Sequence, residues 1–64
     1  MNEYSEIQVR RQFPIKTVWE TEYGPIIVIG HVPDMDGMGY IVACKAKDDS
    51  QINIHPYFIG KRIS

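Results

Sequence analysis

Hydrophobic and polar residues alternate over much of this chain, and such alternation is typical of half-buried β-strands. The clearest case is a pair of short runs rich in β-branched and aromatic residues, at positions 40–46 and 51–55. Between them, residues 47–50 read Lys-Asp-Asp-Ser, which is the chemistry of a tight turn. The stretch from 40 to 55 therefore predicts a β-hairpin.

Further strands are predicted on both sides of this hairpin. The first covers residues 13–21, where apolar positions recur at every second residue, and a turn at 22–25 leads into a second strand over 26–32. Residues 56–58, Pro-Tyr-Phe, interrupt the alternation and predict a short turn of 3₁₀ helix. A closing strand follows over 59–63. The first strand is expected to place one row of side chains on the same face: Phe13, Ile15, Thr17 and Trp19.

The second strand is apolar on both faces. Ile27 and Ile29 are expected to point one way, and Ile26, Val28 and Val32 the other. One of these sets is left at the surface of a single thin barrel unless something covers it, and a second copy of the protein is the plainest cover. Gly30 inside this strand predicts a bulge or a sharp bend.

In the hairpin, the alternation predicts which side chains face the core. On the third strand we expect Cys44 to be buried as a small hydrophobic residue rather than to act as a nucleophile. The residues that share its face are Tyr40, Val42 and Ala46. The fourth strand sets the apolar Ile52 and Ile54 against a polar row formed by Gln51, Asn53 and His55.

This order of elements predicts an all-β fold, a small five-stranded SH3-like barrel with a short 3₁₀ turn before the last strand. We assign the barrel to residues 13–64. Residues 1–12 are interpreted as an N-terminal arm, either frayed or forming an edge segment, because neither a helical nor a strand period prevails there. An OB-like barrel is the main competing fold, but it needs a helix between its third and fourth strands, where none is predicted.

The composition limits how such a domain is stabilised. The chain has 64 residues and one cysteine, so its core is thin and no disulfide forms within it. Cys44, His31 and His55 are too few for a closed zinc site. Asp34 and Asp36 beside Gly37 resemble the start of a calcium loop, but the later acidic ligands are missing, so we expect a turn and no metal. Self-association remains as a further source of stability for such a thin core.

The formal net charge is −1, so no overall positive field attracts nucleic acid, which would need a local patch. The candidate phosphate contacts are Arg10, Arg11, Lys16, Lys45, Lys47, Lys61 and Arg62. No apolar run has the length of a membrane span, and the first residues lack the pattern of a signal peptide. We therefore expect a soluble cytoplasmic protein that does not engage a membrane.

The hairpin and the end of the chain resemble a known family. Residues 39–42, Gly-Tyr-Ile-Val, together with Ser50, the run 52–56 and the final Lys-Arg-Ile at 61–63, are similar to the C-terminal half of the small plasmid-borne type II dihydrofolate reductases. Residues 28–30 resemble that family's second strand. The resemblance implies an SH3-like barrel that forms a homotetramer around one central pore, in which NADPH and dihydrofolate bind against each other.

The same resemblance implies the ligand-contacting residues. The family's pore motif reads Val-Gln-Ile-Tyr-Pro, which corresponds here to Ile-Asn-Ile-His-Pro at 52–56. Asn53 stands in place of the pore glutamine, and His55 stands in place of the tyrosine. Ile54 lies between them, and Lys16 is the residue nearest to the family's pore lysine.

Two functions from different classes follow. We favour a small non-catalytic binding or assembly module, of the kind that phages and plasmids encode as accessory proteins, with no cofactor. It would engage itself, a protein partner or, less favoured, nucleic acid, through an exposed strand edge or an aromatic patch. The aromatic candidates are Trp19, Tyr23, Tyr40, Tyr57 and Phe58. The alternative is the NADPH-dependent reductase, which would act by orienting cofactor and substrate.

Overall fold

A computed structural model of the chain describes residues 5–33 and 39–64, and these fold into a β-sheet with one helix beside it. The elements are α1 (Glu6–Gln12), β1 (Val18–Thr21), β2 (Gly24–Pro33), β3 (Gly39–Lys45), β4 (Gln51–Ile54), a 3₁₀ turn (Pro56–Phe58) and β5 (Ile59–Arg62). No helix formed by the described residues has the length and hydrophobicity that a membrane crossing requires.

The five strands form one antiparallel sheet in the order β4-β3-β2-β1-β5. The hairpin predicted between residues 40 and 55 is the β3–β4 pair, in which Ile41 lies opposite Ile54 and Ala43 opposite Ile52. The predicted β class, the five strands and the 3₁₀ turn before the last strand are thus confirmed. In this order the two outermost strands are β4 and β5.

Helix α1 lies within the segment that the sequence analysis interpreted as an arm. Ser5 precedes the helix and caps it, because its Oγ accepts a hydrogen bond from the backbone N–H of Gln8 at 3.4 Å. Arg10 and Arg11 occupy the last turn, where positive charge is favourable beside the unpaired carbonyl groups. Val9 is fully buried, so the helix contributes to the core.

The core lies between α1 and the inner face of β2 and β3. Its buried residues are Val9, Phe13, Ile26, Val28, Ile41, Ala43 and Ile54. His31 ties the end of the helix to the sheet, because its Nε2 donates a hydrogen bond to the carbonyl oxygen of Phe13 at 2.6 Å. The split predicted for the second strand is confirmed as far as Ile29, since Ile26 and Val28 are buried while Ile27 and Ile29 are exposed. Val32, which was predicted to share the face of Ile26 and Val28, is instead 39% exposed, because the register shift between Val28 and Gly30 reverses the alternation beyond it.

On the third strand, the predicted core face is wrong. Ile41 and Ala43 are fully buried, whereas Val42 and Cys44 are half-buried on the opposite face. Because apolar residues occupy both faces of this strand, a period of two residues cannot select the inner one. The pairing with β4 selects it, since Ile41 and Ala43 lie opposite the isoleucines of that strand.

The chain enters the sheet later than predicted, since β1 begins at Val18 rather than at Phe13. Between them the backbone makes a turn in which Lys16 has φ 79°, a left-handed conformation that is uncommon for a lysine. The Lys16 N–H donates to the carbonyl of Val28 at 2.8 Å, which fixes the turn against β2. The predicted irregularity at Gly30 is confirmed, because the β2–β3 register shifts between Val28 and Gly30.

The tight turn between β3 and β4 is held by its own polar side chains. The backbone N–H and the hydroxyl of Ser50 both donate to Oδ1 of Asp48, at 3.0 and 2.7 Å. These bonds, with a smaller contribution from the nearby Lys45 and Lys47, hold the pKa of the Asp48 carboxyl below its ordinary value. Asp49 adopts φ 63°, which an aspartate tolerates in a turn.

Candidate functional site

A groove of about 470 Å³ runs along the edge strand β4 and is the best candidate for a binding site. Its volume lies within the usual range for small ligand sites. Four consecutive residues supply one wall, from Ile52 to His55, and they are joined by Glu22, Tyr23, Tyr40 and Phe58. Because consecutive residues of a strand point to alternate faces, a groove lined by all four follows the strand edge itself.

The other walls come from three local structures. The β1–β2 turn presents Tyr23, and Thr21 fixes that turn because its hydroxyl oxygen accepts from the Tyr23 N–H at 3.0 Å and its O–H donates to the Gly24 carbonyl at 2.9 Å. Gly24 has φ 89°, a left-handed conformation that glycine adopts without strain. Tyr40 comes from the start of β3, and Phe58 comes from the end of the 3₁₀ turn.

His55 lies at the centre of a cluster of aromatic rings. Its Nδ1 accepts a hydrogen bond from the backbone N–H of Tyr57 at 3.2 Å, which caps the 3₁₀ turn and requires the nitrogen to be unprotonated. The imidazole stacks on the Tyr57 ring at 4.7 Å between centroids. It meets the rings of Tyr40 at 5.2 Å and Phe58 at 6.5 Å edge-on. One side chain thus positions three aromatic rings.

The aromatic candidates chosen from the sequence separate into two groups. Tyr23, Tyr57 and Phe58 are 44%, 64% and 58% exposed, and Tyr40 is half-buried in the wall of the groove. Trp19 instead packs against Phe13 with 4.7 Å between ring centroids, and its Nε1 donates to Thr17. Trp19 therefore supports the core and is not among the residues that line the groove.

A second cleft, of about 430 Å³, adjoins the groove and shares Glu22 and Phe58 with it. Its remaining lining residues are Glu20, Thr21, Tyr57, Ile59 and Gly60. Together the two recesses surround the exposed rings of the 3₁₀ turn. Within the described residues, the side chains along both recesses carry carboxylates, an imidazole and an amide, and neither a lysine nor an arginine lines them.

The cationic candidates lie on several separate elements. Arg10 and Arg11 are on α1, Lys45 ends β3, and Lys47 follows in the next turn. Lys61 and Arg62 are on β5, and Arg62 Nε donates to the carbonyl of Ser64. The Lys45 ammonium lies over the Tyr23 ring at 5.1 Å from its centroid, a cation–π contact that supports the wall of the groove.

The residues suggested by the reductase resemblance are only partly brought together. Asn53, Ile54 and His55 all line the groove, but Lys16 lies in the turn after α1 and is not part of the lining. Glu22 and Ile52 also line the groove, although they were not predicted as site residues. Only their positions in the sequence could have indicated them, because Glu22 lies in a predicted turn and Ile52 lies beside Asn53.

No protein-family profile, curated protein or solved structure matches this chain. Among the described residues, no three histidine, cysteine, aspartate or glutamate side chains converge as metal ligands. The turn predicted at Asp34, Asp36 and Gly37 lies outside the described residues.

Proposed function

We propose that this protein is a small SH3-like barrel that binds a partner protein through the groove along β4 and catalyses no reaction itself. The observation that carries the proposal is the groove, where Tyr23, Tyr40 and Phe58 meet beside an edge strand. The strand order, with a 3₁₀ turn between β4 and β5, supports the SH3-like architecture.

The chemistry of the groove suits a segment of protein. Exposed aromatic rings contribute large contact areas at a small cost in conformational entropy, and they dominate the energetics of many interfaces. The groove also offers the amide of Asn53 and the carboxylate of Glu22, which can pair with the polar groups of a bound chain. His55 holds the surrounding rings in place before binding, which reduces the entropy lost on association.

The proposal predicts that Phe58→Ala weakens binding of a peptide selected from a random display library on the immobilised protein. Phe58 is 58% exposed, so its removal should leave the fold intact while the dissociation constant rises by about tenfold or more. The affinities are measured by calorimetry with the selected peptide.

Ile15→Ala is the matched control, because Ile15 is also apolar, is 53% exposed and does not line the groove. Its affinity should stay within about threefold of the unmodified protein. Equal losses in both variants, or no loss in Phe58→Ala, would show that the groove is not the binding surface.

The type II reductase is a second candidate, which the lining of the groove by Asn53, Ile54 and His55 favours. It also requires a homotetramer, and an apolar surface is available for self-association. We call this surface the outer face: Ile27, Ile29 and Val32 of β2, which are 39%, 42% and 39% exposed, with Val42 and Cys44 of β3. These side chains belong to two paired strands and form a continuous apolar surface.

Light scattering over a range of protein concentrations tests this second candidate. A stable tetramer that oxidises NADPH in the presence of dihydrofolate, and loses that activity in Asn53→Ala, is the result the reductase requires. A monomer, or a tetramer without NADPH oxidation at high protein concentration, rules the reductase out and leaves the binding module.

A further inference from the structure

The two edges of the sheet differ in how well they are protected. The β5 edge contains Lys61 and Arg62, and its pairing with β1 is irregular. Natural sheets use charges and irregular pairing of this kind to keep edges from pairing with other chains. The β4 edge has neither, since Gln51–Ile54 contains no charged residue and no proline, and its pairing with β3 is regular.

The alternation of hydrogen-bonded and non-bonded residue pairs between β3 and β4 shows which backbone groups lie on the free side of β4. The Lys45 N–H donates to the carbonyl of Ser50 at 2.9 Å, so these two residues form a bonded pair. Bonded and non-bonded pairs alternate along an antiparallel ladder. The pairs of β3 with Ile52 and Ile54 are then bonded, and the N–H and C=O groups of Gln51 and Asn53 point away from β3.

The hydrogen bonds between β3 and β2 agree with this alternation. The Ala46 N–H donates to the carbonyl of Pro25 at 2.9 Å, so Ala46 bonds towards β2 while its neighbour Lys45 bonds towards β4. In the part of the chain that the structure describes, no strand pairs with the free side of β4. The backbone groups of Asn53 are thus available where this residue lines the groove, and those of Gln51 are available two residues earlier on the same strand edge.

From the unprotected β4 edge and its position in the groove, we propose that the partner binds as a single extended strand that adds to β4. It pairs with the backbone of Gln51 and Asn53, and its side chains contact the aromatic walls. The mode is β-strand addition, in which main-chain bonds give affinity and pockets for alternate side chains give specificity. The inference rests on the proposed function, because it specifies how the same groove is occupied.

The groove also indicates why the occupant is a free segment and not the sheet edge of a second copy. Glu22, Tyr23 and Phe58 bound the recess beside β4. A single strand occupies only about 4.8 Å in the plane of a sheet, whereas an edge strand of another copy brings its own sheet behind it. The recess therefore accepts an extended segment that is exposed on both sides in the partner.

Amide hydrogen exchange followed by NMR tests this proposal, with the peptide selected from the random library as the probe. Exchange at Gln51 and Asn53 should slow in proportion to occupancy, by about tenfold when the free peptide is at about ten times its dissociation constant. Exchange at Ile52 and Ile54 should change far less, because these amides are bonded to β3 without the peptide.

Two variants separate the backbone from the side chain of Asn53. Asn53→Pro removes the N–H on the free side and, at an edge position, leaves the ladder with β3 intact, so we expect the affinity to fall by about tenfold or more. Asn53→Ala keeps the N–H and loses only the side-chain amide, so its affinity should fall clearly less than that of Asn53→Pro, and the difference between the two variants reports the backbone bond. If Asn53→Pro does not fold, the exchange measurement on the unmodified protein decides.

The outcomes separate this inference from the proposed function. Peptide binding that depends on Phe58 without slower exchange at Gln51 and Asn53 would overturn the strand addition and leave the proposed function standing. Slow exchange at both amides that depends on protein concentration in the absence of peptide would also overturn it, since a second copy would then occupy the edge. Failure to select any peptide whose binding depends on Phe58 would contradict both.

Discussion

Phe13→Ala should lower the free energy of unfolding by about 3–5 kcal/mol, the usual cost of removing a buried aromatic side chain. Phe13 is 5% exposed, packs against Trp19 and accepts the hydrogen bond of His31 through its carbonyl. Its position at the end of α1 means that the truncation also loosens the helix from the sheet. Denaturation by urea, followed by Trp19 fluorescence, measures the change.

A loss of this size is comparable with the whole stability of a domain this small, about 3–5 kcal/mol. The Phe13→Ala protein is thus expected to be largely unfolded. Phe13→Leu retains most of the apolar volume and keeps the measurement possible if the alanine variant does not fold. Ile15→Ala, two residues away and 53% exposed, should change the stability by no more than about 0.5 kcal/mol. Similar stabilities for the two alanine variants would contradict the position of the helix end in the core.

Ile41→Ala should destabilise the protein by about 2–5 kcal/mol, because it opens a cavity at the centre of the core. Ile41 is fully buried on the inner face of β3, where it lies between His31 of β2 and Ile54 of β4. The surrounding side chains are held by the sheet on both sides and cannot collapse fully into the space. Thermal unfolding followed by circular dichroism gives the measurement.

Val42→Ala, at the next position of the same strand, is the control for the inner face. Val42 is half-buried on the outer face, so its truncation should cost no more than about 1 kcal/mol. The reverse order, with Val42→Ala the more destabilising, would restore the core face predicted from the sequence and contradict the register of the hairpin.

The elements that the sequence predicted well are those whose signals are local. Residues 47–50 carry turn chemistry between two β-rich runs, and Pro56 breaks the strand that precedes the 3₁₀ turn. Helix α1 was not predicted because it spans 7 residues, which is too few for a helical period to prevail. Ser5 followed by Gln8 is a helix-capping pair, and it was the one available signal.

For the candidate site, the sequence predicted several of the residues but not how they are arranged. Composition and strand position selected Tyr23, Tyr40 and Phe58 as aromatic contacts, but they could not show that these residues meet while Trp19 enters the core. That division depends on the pairing of β1 with β5, which joins residues far apart in the chain, and on the cap that His55 forms on the 3₁₀ turn. The backbone groups on the free side of β4 likewise depend on which residue pairs of β3 and β4 are hydrogen-bonded, and the sequence does not show this.

The most direct test of the proposed binding site is a map of backbone amide chemical shifts during titration with the selected peptide. We expect the largest changes at Tyr23, at Tyr40, along residues 51–55 and at Phe58, with small changes on α1 and β5. Largest changes at Ile27 and Val42 would place the peptide on the outer face instead. Largest changes at Arg10, Lys61 and Arg62 would likewise contradict a binding site in the groove.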